Sequence, residues 1–211
     1  MRFEEYRFLV KSDLYRYVGA ASLGTFLKYL AWGEPGFKCT FWMRTGGYLS
    51  GQPFLRHFSR VADLVLRRYR YKYGIQLYAG SRIGSGFYIG HFGGIFVSGD
   101  AVIGRNCNIS QGVTIGKTNR GERKGHPVIG DNVYVAPGAK IFGKVRVGNN
   151  VAIGANCVVS RDVPDNAVVV GIPCRVISRK GSGEYINRTD YGAAPAAADG
   201  VGLPAGRVRR T

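Results

Sequence analysis

Acidic side chains are in short supply in this chain: 13 Asp and Glu stand against 30 Lys and Arg, a formal net charge of +17 over 211 residues. Histidine occurs three times and cysteine four. Neither Cys-x-x-Cys nor His-x-x-x-His is present, so no zinc-ligand spacing exists and no metal is expected. A Gly-x-Ser-x-Gly nucleophile elbow is missing, as is the Gly-x-x-x-x-Gly-Lys-Ser/Thr phosphate loop. The chain has no run of about 18 apolar residues, so no transmembrane helix is expected, and Arg2, Glu4 and Glu5 lead into no signal-peptide pattern. Cys107 and Cys157 fall on inward positions of the repeat described next. They read as packing thiols rather than a disulfide framework, which suits a reducing, cytoplasmic setting.

What the chain does contain is a six-residue repeat. Between Ile129 and Pro164 the hexads IGDNVY, VAPGAK, IFGKVR, VGNNVA, IGANCV and VSRDVP follow one another without a break. Each opens on an aliphatic residue (Ile129, Val135, Ile141, Val147, Ile153, Val159) and carries a small or β-branched residue four places later, with Cys157 among them. A helix repeats every 3.6 residues and a strand every two, so neither gives this register. A fixed period of six is the pattern of a parallel β-helix. Upstream the repeat runs through Leu77, Ile83, Ile89 and Ile95, then shifts phase to Val97, Ile103, Ile109 and Ile115. The phase shift inserts two residues, enough to bulge one corner. With three hexads per turn the series makes about four to five coils, a prism on the order of 20 Å long. The pattern stops for Lys117 to Pro127, which therefore leaves the prism as an external loop, a common place for functional residues.

Three regions follow: an N-terminal helical region over 1–74, the β-helix over 75–180, and a Gly-, Ala- and Pro-rich segment over 181–211 that reads as a flexible tail. In the first, Ser12 is a candidate cap, Leu23, Phe26, Leu27 and Leu30 recur at helical spacing, and Phe54, Leu55, Phe58, Val61, Leu64 and Val65 trace one apolar face of a longer helix. The positive charge is shared between the first two regions, with its densest run from Arg67 to Tyr73. Such a run suits an anionic membrane surface or acidic glycan, giving peripheral membrane association; it equally suits a solvated helix end with snorkelling side chains. Nothing resembles a nucleic-acid-binding motif, and no nucleic-acid partner is expected.

Of the three histidines, His57 lies in the amphipathic helix and reads as structural or solvated. His91 occupies the third place of a hexad, away from the inward first and fifth, between Gly90 and Phe92-Gly93-Gly94. The glycines leave room for a substrate or another backbone. His126 closes the 117–127 excursion.

The hexads, the GHFGGIFV segment around His91, SQGVTIG, GHPVIGDNVYVAPGAKI and VVVGIPCRVI together resemble the hexapeptide-repeat acetyltransferases. The resemblance covers about residues 70 to 180 and is nearest to serine acetyltransferases and to acetyltransferases of exopolysaccharide and colanic acid synthesis. It implies a left-handed winding, a homotrimer, and acetyl-CoA as donor in grooves between subunits. By position, His91 matches the catalytic histidine and acts as general base, while His126 matches a loop histidine near the acceptor. Gly116, Ala136, Pro137, Ala155, Ser160 and Arg161 match groove-lining positions, with Arg175 and Lys180 as cationic partners of the coenzyme A phosphates. The departures concern charge. Gln76 stands where serine acetyltransferases carry an aspartate, Gly90 where they carry an acid, and Gly125 where they carry an arginine. These losses point away from a zwitterionic amino acid and toward a saccharide or lipid-linked glycan hydroxyl in bacterial surface polysaccharide synthesis. Serine as acceptor is the alternative, and a non-catalytic β-helix scaffold a further one.

Overall fold

The computed structural model describes residues 1–193, and the repeat dictates most of what it shows. The hexad-opening residues stack in columns of parallel strands. One sheet contains β1 (Ile75–Gln76), β4 (Ile95–Val97), β7 (Thr114–Gly116), β10 (Lys140–Phe142) and β13 (Val158–Val159). A second contains β2 (Arg82–Ile83), β5 (Val102–Ile103), β8 (Val128–Ile129) and β11 (Arg146–Val147). The third contains β3 (Tyr88–Ile89), β6 (Asn108–Ile109), β9 (Tyr134–Val135), β12 (Ala152–Ile153) and β14 (Val168–Val170), and the antiparallel β15 (Arg175–Ser178) closes it. We call these sheets A, B and C. Register pairs Ile89 with Ile109, Ile109 with Val135, Val135 with Ile153 and Ile153 with Val169, so one buried column runs the length of sheet C. Removing each such side chain from water is worth about 1.5–3 kcal/mol, and the three columns supply the core.

Corners need dihedrals that most residues resist. Where sheet B turns into sheet C, Asn106, Asn132, Asn150 and Asn166 all adopt positive φ of 54–59°. Asparagine tolerates this region better than other non-glycine residues. Here the four side chains also bond one another in a ladder, Asn106 to Asn132, Asn132 to Asn150 and Asn150 to Asn166, each at 3.0 Å.

Four helices precede the prism: α1 (Phe3–Val18), α2 (Leu23–Trp32), α3 (Pro35–Ser50) and α4 (Arg56–Tyr73). Cys39 and Met43 of α3 and Leu66 of α4 join the prism core and seal its first coil. A buried polar latch adds α1. Asp13 receives the Phe87 backbone N–H at 2.8 Å and pairs with Arg44 of α3 at 3.1 Å, while Arg44 also donates to the Gly84 carbonyl at 2.6 Å. Arg16 donates to Asn108 Oδ1 at 2.6 Å. Burial pushes the Asp13 carboxyl up and the Arg16 guanidinium down from their ordinary ranges, because lost hydration outweighs the nearby opposite charges.

Two readings of the helical region are corrected. Ser12 is not a cap: it lies inside α1, where its hydroxyl accepts the Gly86 N–H. The apolar residues Phe58, Val61 and Leu64 do not face the core. They are exposed, and α4 instead packs through Ala62, Leu66, Tyr69 and Tyr73. The inward face of α4 must fit closely against α3, which a small alanine permits and a phenylalanine would not. The basic run is also divided: Arg70 turns onto the Tyr78 ring at 4.5 Å rather than outward.

Residues 181–193 run back along the prism. Ser182 is buried, Tyr185 stacks on Tyr134 at 4.5 Å, its carbonyl accepts from Asn108 at 2.9 Å, and Tyr191 donates to Asn106 at 2.6 Å. The remainder of the segment read as a tail, residues 194–211, lies outside the described residues.

Two substitutions test this architecture. Cys157→Arg forces a charge into a fully buried column and should lower the thermal midpoint sharply or abolish folding; an unchanged midpoint would show the register to be wrong. Asp13→Ala leaves Arg44 buried without its carboxylate and should cost about 3–5 kcal/mol in denaturant unfolding, against a much smaller loss for an exposed alanine substitution such as Asp190→Ala.

Candidate active site

The two-residue phase shift falls at one place. Ile89 pairs with Ile109 and Val97 with Ile115, so eight residues in the first coil span what six span in the second. The surplus bulges the corner between sheets C and A, and that corner carries His91. Gly93 and Gly94 have positive φ of 105° and 66°, which lets the chain double back. His91 is exposed, and its ring makes no hydrogen bond among the described residues. Phe92 beside it is exposed and contacts the Tyr73 ring of α4 at 6.0 Å.

His126 sits on a different edge, between sheets A and B. The excursion over 117–127 is pinned at its base by Thr118 and Gly125, whose backbones exchange hydrogen bonds at 3.0 Å. It delivers a half-buried imidazole whose Nδ1 lies 2.9 Å from Ser98 Oγ and whose Nε2 lies 3.4 Å from Asp100. A carboxylate and a hydroxyl on opposite ring nitrogens fix the orientation of the ring, a role sequence separation had hidden. The VSGD stretch holding Ser98 and Asp100 was read only as part of the repeat.

The other expected site residues divide between the same two edges. Ala136, Pro137 and Ala155 share the corner stack of His91; Gly116, Ser160 and Arg161 share that of His126. A side of the prism, on the order of 15 Å of extended chain, separates the two sets. One chain therefore does not bring them together. Arg175 lies on β15 and Lys180 just beyond it, both exposed. Gln76, on β1, donates its amide N–H to the Tyr78 hydroxyl and not to His91. On the His91 edge sequence reasoning passed over Gln111, whose buried Oε1 has no hydrogen-bond partner among the described residues.

No thiol is poised for catalysis at neutral pH among three of the four cysteines. Burial pushes Cys39 and Cys107 up to about 12 and Cys157 to about 11. Among the described residues no group of three or more His, Cys, Asp or Glu is arranged to hold a metal ion, and no helix is long and apolar enough to cross a membrane.

Parallel hexads wound into a three-sided prism, with a histidine raised on a glycine corner, define the class of hexapeptide-repeat transferases. The family model described as bacterial transferase hexapeptide (six repeats) matches residues 126–161. The solved serine acetyltransferase of Neisseria gonorrhoeae is 30% identical, with a TM-score of 0.68 over 85% of this chain and 69% of that one. The Brucella abortus serine acetyltransferase, solved in complex with coenzyme A, gives a TM-score of 0.68 at 28% identity, over 84% of this chain and 69% of that one. Among curated proteins, the serine acetyltransferase of Synechococcus elongatus is 38% identical over 167 residues, 76% of this chain and 64% of its own length. That of Staphylococcus epidermidis is 41% identical over 121 residues, 57% of each chain. The chain belongs to the hexapeptide-repeat acetyltransferases, and its prism is a left-handed parallel β-helix. It spans under two thirds of the length of these curated relatives.

These relatives overturn the saccharide acceptor expected from the sequence. Three lost charges, at Gln76, Gly90 and Gly125, were weighed as loss of amino-acid recognition, yet the relatives across both comparisons are named for serine.

Proposed function

We propose that the protein is a serine O-acetyltransferase that moves the acetyl group of acetyl-CoA onto the hydroxyl of L-serine. The observation that carries this reading is the match to serine acetyltransferases over 85% of the chain, helices included, at 30% identity. His91 then serves as general base. Its neutral imidazole takes the hydroxyl proton as the serine oxygen attacks the thioester carbonyl, and returns that proton to the departing thiolate, so that no net proton is gained or lost. A positioned imidazole is the commonest general base for a hydroxyl proton. Backbone N–H groups of the glycine corner are suited to the developing oxyanion.

Ala136, Pro137 and Ala155 form the donor groove on the His91 edge. Gly116, Ser160 and Arg161 form the opposing wall from a neighbouring copy, with His126 near the acceptor and Gln76 supporting it from β1. Arg175 and Lys180 meet the coenzyme A phosphates. Support for a homotrimer comes from the separation of the two edges: a second copy is needed to join them, and a cyclic threefold assembly gives three equivalent grooves. The unpaired, buried cysteines support a cytoplasmic location. Peripheral association with an anionic membrane face is supported by exposed Phe58, Val61 and Leu64 on α4 beside Arg60 and Arg68.

The direct test is turnover of acetyl-CoA with L-serine against sugar nucleotides and oligosaccharides, read by mass spectrometry of the acetylated product; O-acetylserine as the main product is expected. His91→Ala should lower kcat by roughly 10² to 10⁴ with the thermal midpoint unchanged, because the ring is exposed and supports nothing. Turnover near that of the unaltered protein would remove His91 from the base role.

A further inference from the structure

A cavity of about 400 Å³ opens between the C-terminal turn of α4 and the first two strands of sheet A. Arg67, Arg70 and Tyr71 form one wall, and Gln76, Gly94 and Phe96 form the floor and the other wall. Two arginines line this space and no acidic residue does. Arg70 is held by stacking on Tyr78 at 4.5 Å, and the same Tyr78 hydroxyl takes the Gln76 amide N–H, so the floor and the cation are braced together. The Arg70 Nε is buried and has no hydrogen-bond partner among the described residues.

The cavity adjoins the histidine corner. Gly74, the C-cap of α4, packs so closely on Gly94 that a Cβ there would lie 3.1 Å from the Gly94 nitrogen. Gly94 is three residues from His91, so their Cα atoms lie within about 11 Å. The cavity and the histidine corner are thus near neighbours along the chain, a juxtaposition open to a small acceptor with an anionic group at one end and a hydroxyl at the other.

We infer that Arg67 and Arg70 form a carboxylate subsite that anchors the acceptor and presents its hydroxyl to His91. The inference rests on serine being the acceptor. It also accounts for the missing charge at Gly125: the cation that reads the carboxylate comes from α4 instead of the 117–127 loop. Guanidinium forks match a carboxylate in plane and in charge, which a neutral glycan hydroxyl would not use.

Steady-state kinetics of Arg67→Gln, Arg70→Gln and the double variant test this, with L-serine and with L-serine methyl ester, whose carboxylate charge is gone. The subsite predicts that KM for L-serine rises roughly ten- to hundredfold while kcat and the KM for acetyl-CoA stay near their original values. The methyl ester should be a poor acceptor for the original protein and be no worse for the double variant. Arg67 is exposed, so Arg67→Gln remains informative even if Arg70→Gln loosens the fold; circular dichroism and thermal midpoints check each variant. Serine turnover with an unchanged KM in Arg67→Gln and the double variant overturns the subsite alone. Failure of the unaltered protein to acetylate L-serine, with another hydroxyl acceptor used, overturns the acceptor assignment and the carboxylate role together.

Discussion

Each inner coil of the prism finds its backbone hydrogen-bond partners in the coils directly above and below, and the rest of the molecule follows from that constraint. Strands only two to four residues long cannot pair stably by themselves. They hold because aliphatic columns keep the register while Asn and Gly turn the corners. The stack is closed around its axis but open at both ends, where a row of unpaired backbone groups would otherwise face water. Two devices meet this demand. Helices α3 and α4 place Cys39, Met43 and Leu66 over the first coil, and β15 reverses direction to close the last. The Asp13–Arg44 pair then fixes helices to prism by taking three backbone groups of the first coil as partners. Lost hydration makes this pair a weak source of net stability, but a demanding one geometrically.

The two candidate histidines lie where the repeat is broken. A regular corner has no spare residues, so its side chains are committed to turning the chain. The surplus at Gly90–Gly94 and the excursion at 117–127 free His91 and His126 from that duty. Their placement on separate edges means that the fold of one chain does not bring the two histidines together. The helical cap participates as well, since the C-terminus of α4 touches the same glycine corner that displays the histidine.

The prism was legible because each hexad reports its own environment: Ile129, Val133 and Val135 are buried as their places in the repeat require. The phase shift at Ile95 and Val97 was equally legible as a bulge, though not as the displacement of His91. Helical faces were not legible. Phe58, Val61 and Leu64 have the periodicity of a core-facing stripe, but which face of a helix turns inward depends on the partner, and the close α3–α4 contact selects Ala62 and Leu66. The helix α3 also escaped notice, because PGFKCTFWMRTGGYLS carries two glycines near its end and no clean apolar stripe. The acceptor failed for a related reason. Charges at Gln76, Gly90 and Gly125 were compared position by position along the chain, whereas a site can draw its cation from any element that reaches it. Partners such as Ser98 and Asp100 for His126 are 28 and 26 residues distant in sequence and come together only when successive coils stack.

The segment following β15 alters how such a stack can come apart. A solenoid whose coils touch only their neighbours can shed them singly from an open end. Here the chain descends past every coil, touching Asn150 at Gly181, Tyr134 at Tyr185, Asn108 and then Asn106 and Ser85, and ends its described course against Phe8 and Tyr15 of α1. The last described residues are thereby buckled to the first helix. Peeling the last coil means first releasing a strap anchored at the opposite end, so fraying from either terminus is coupled mechanically to the other, and a structure built from near-identical tiles behaves as a single object.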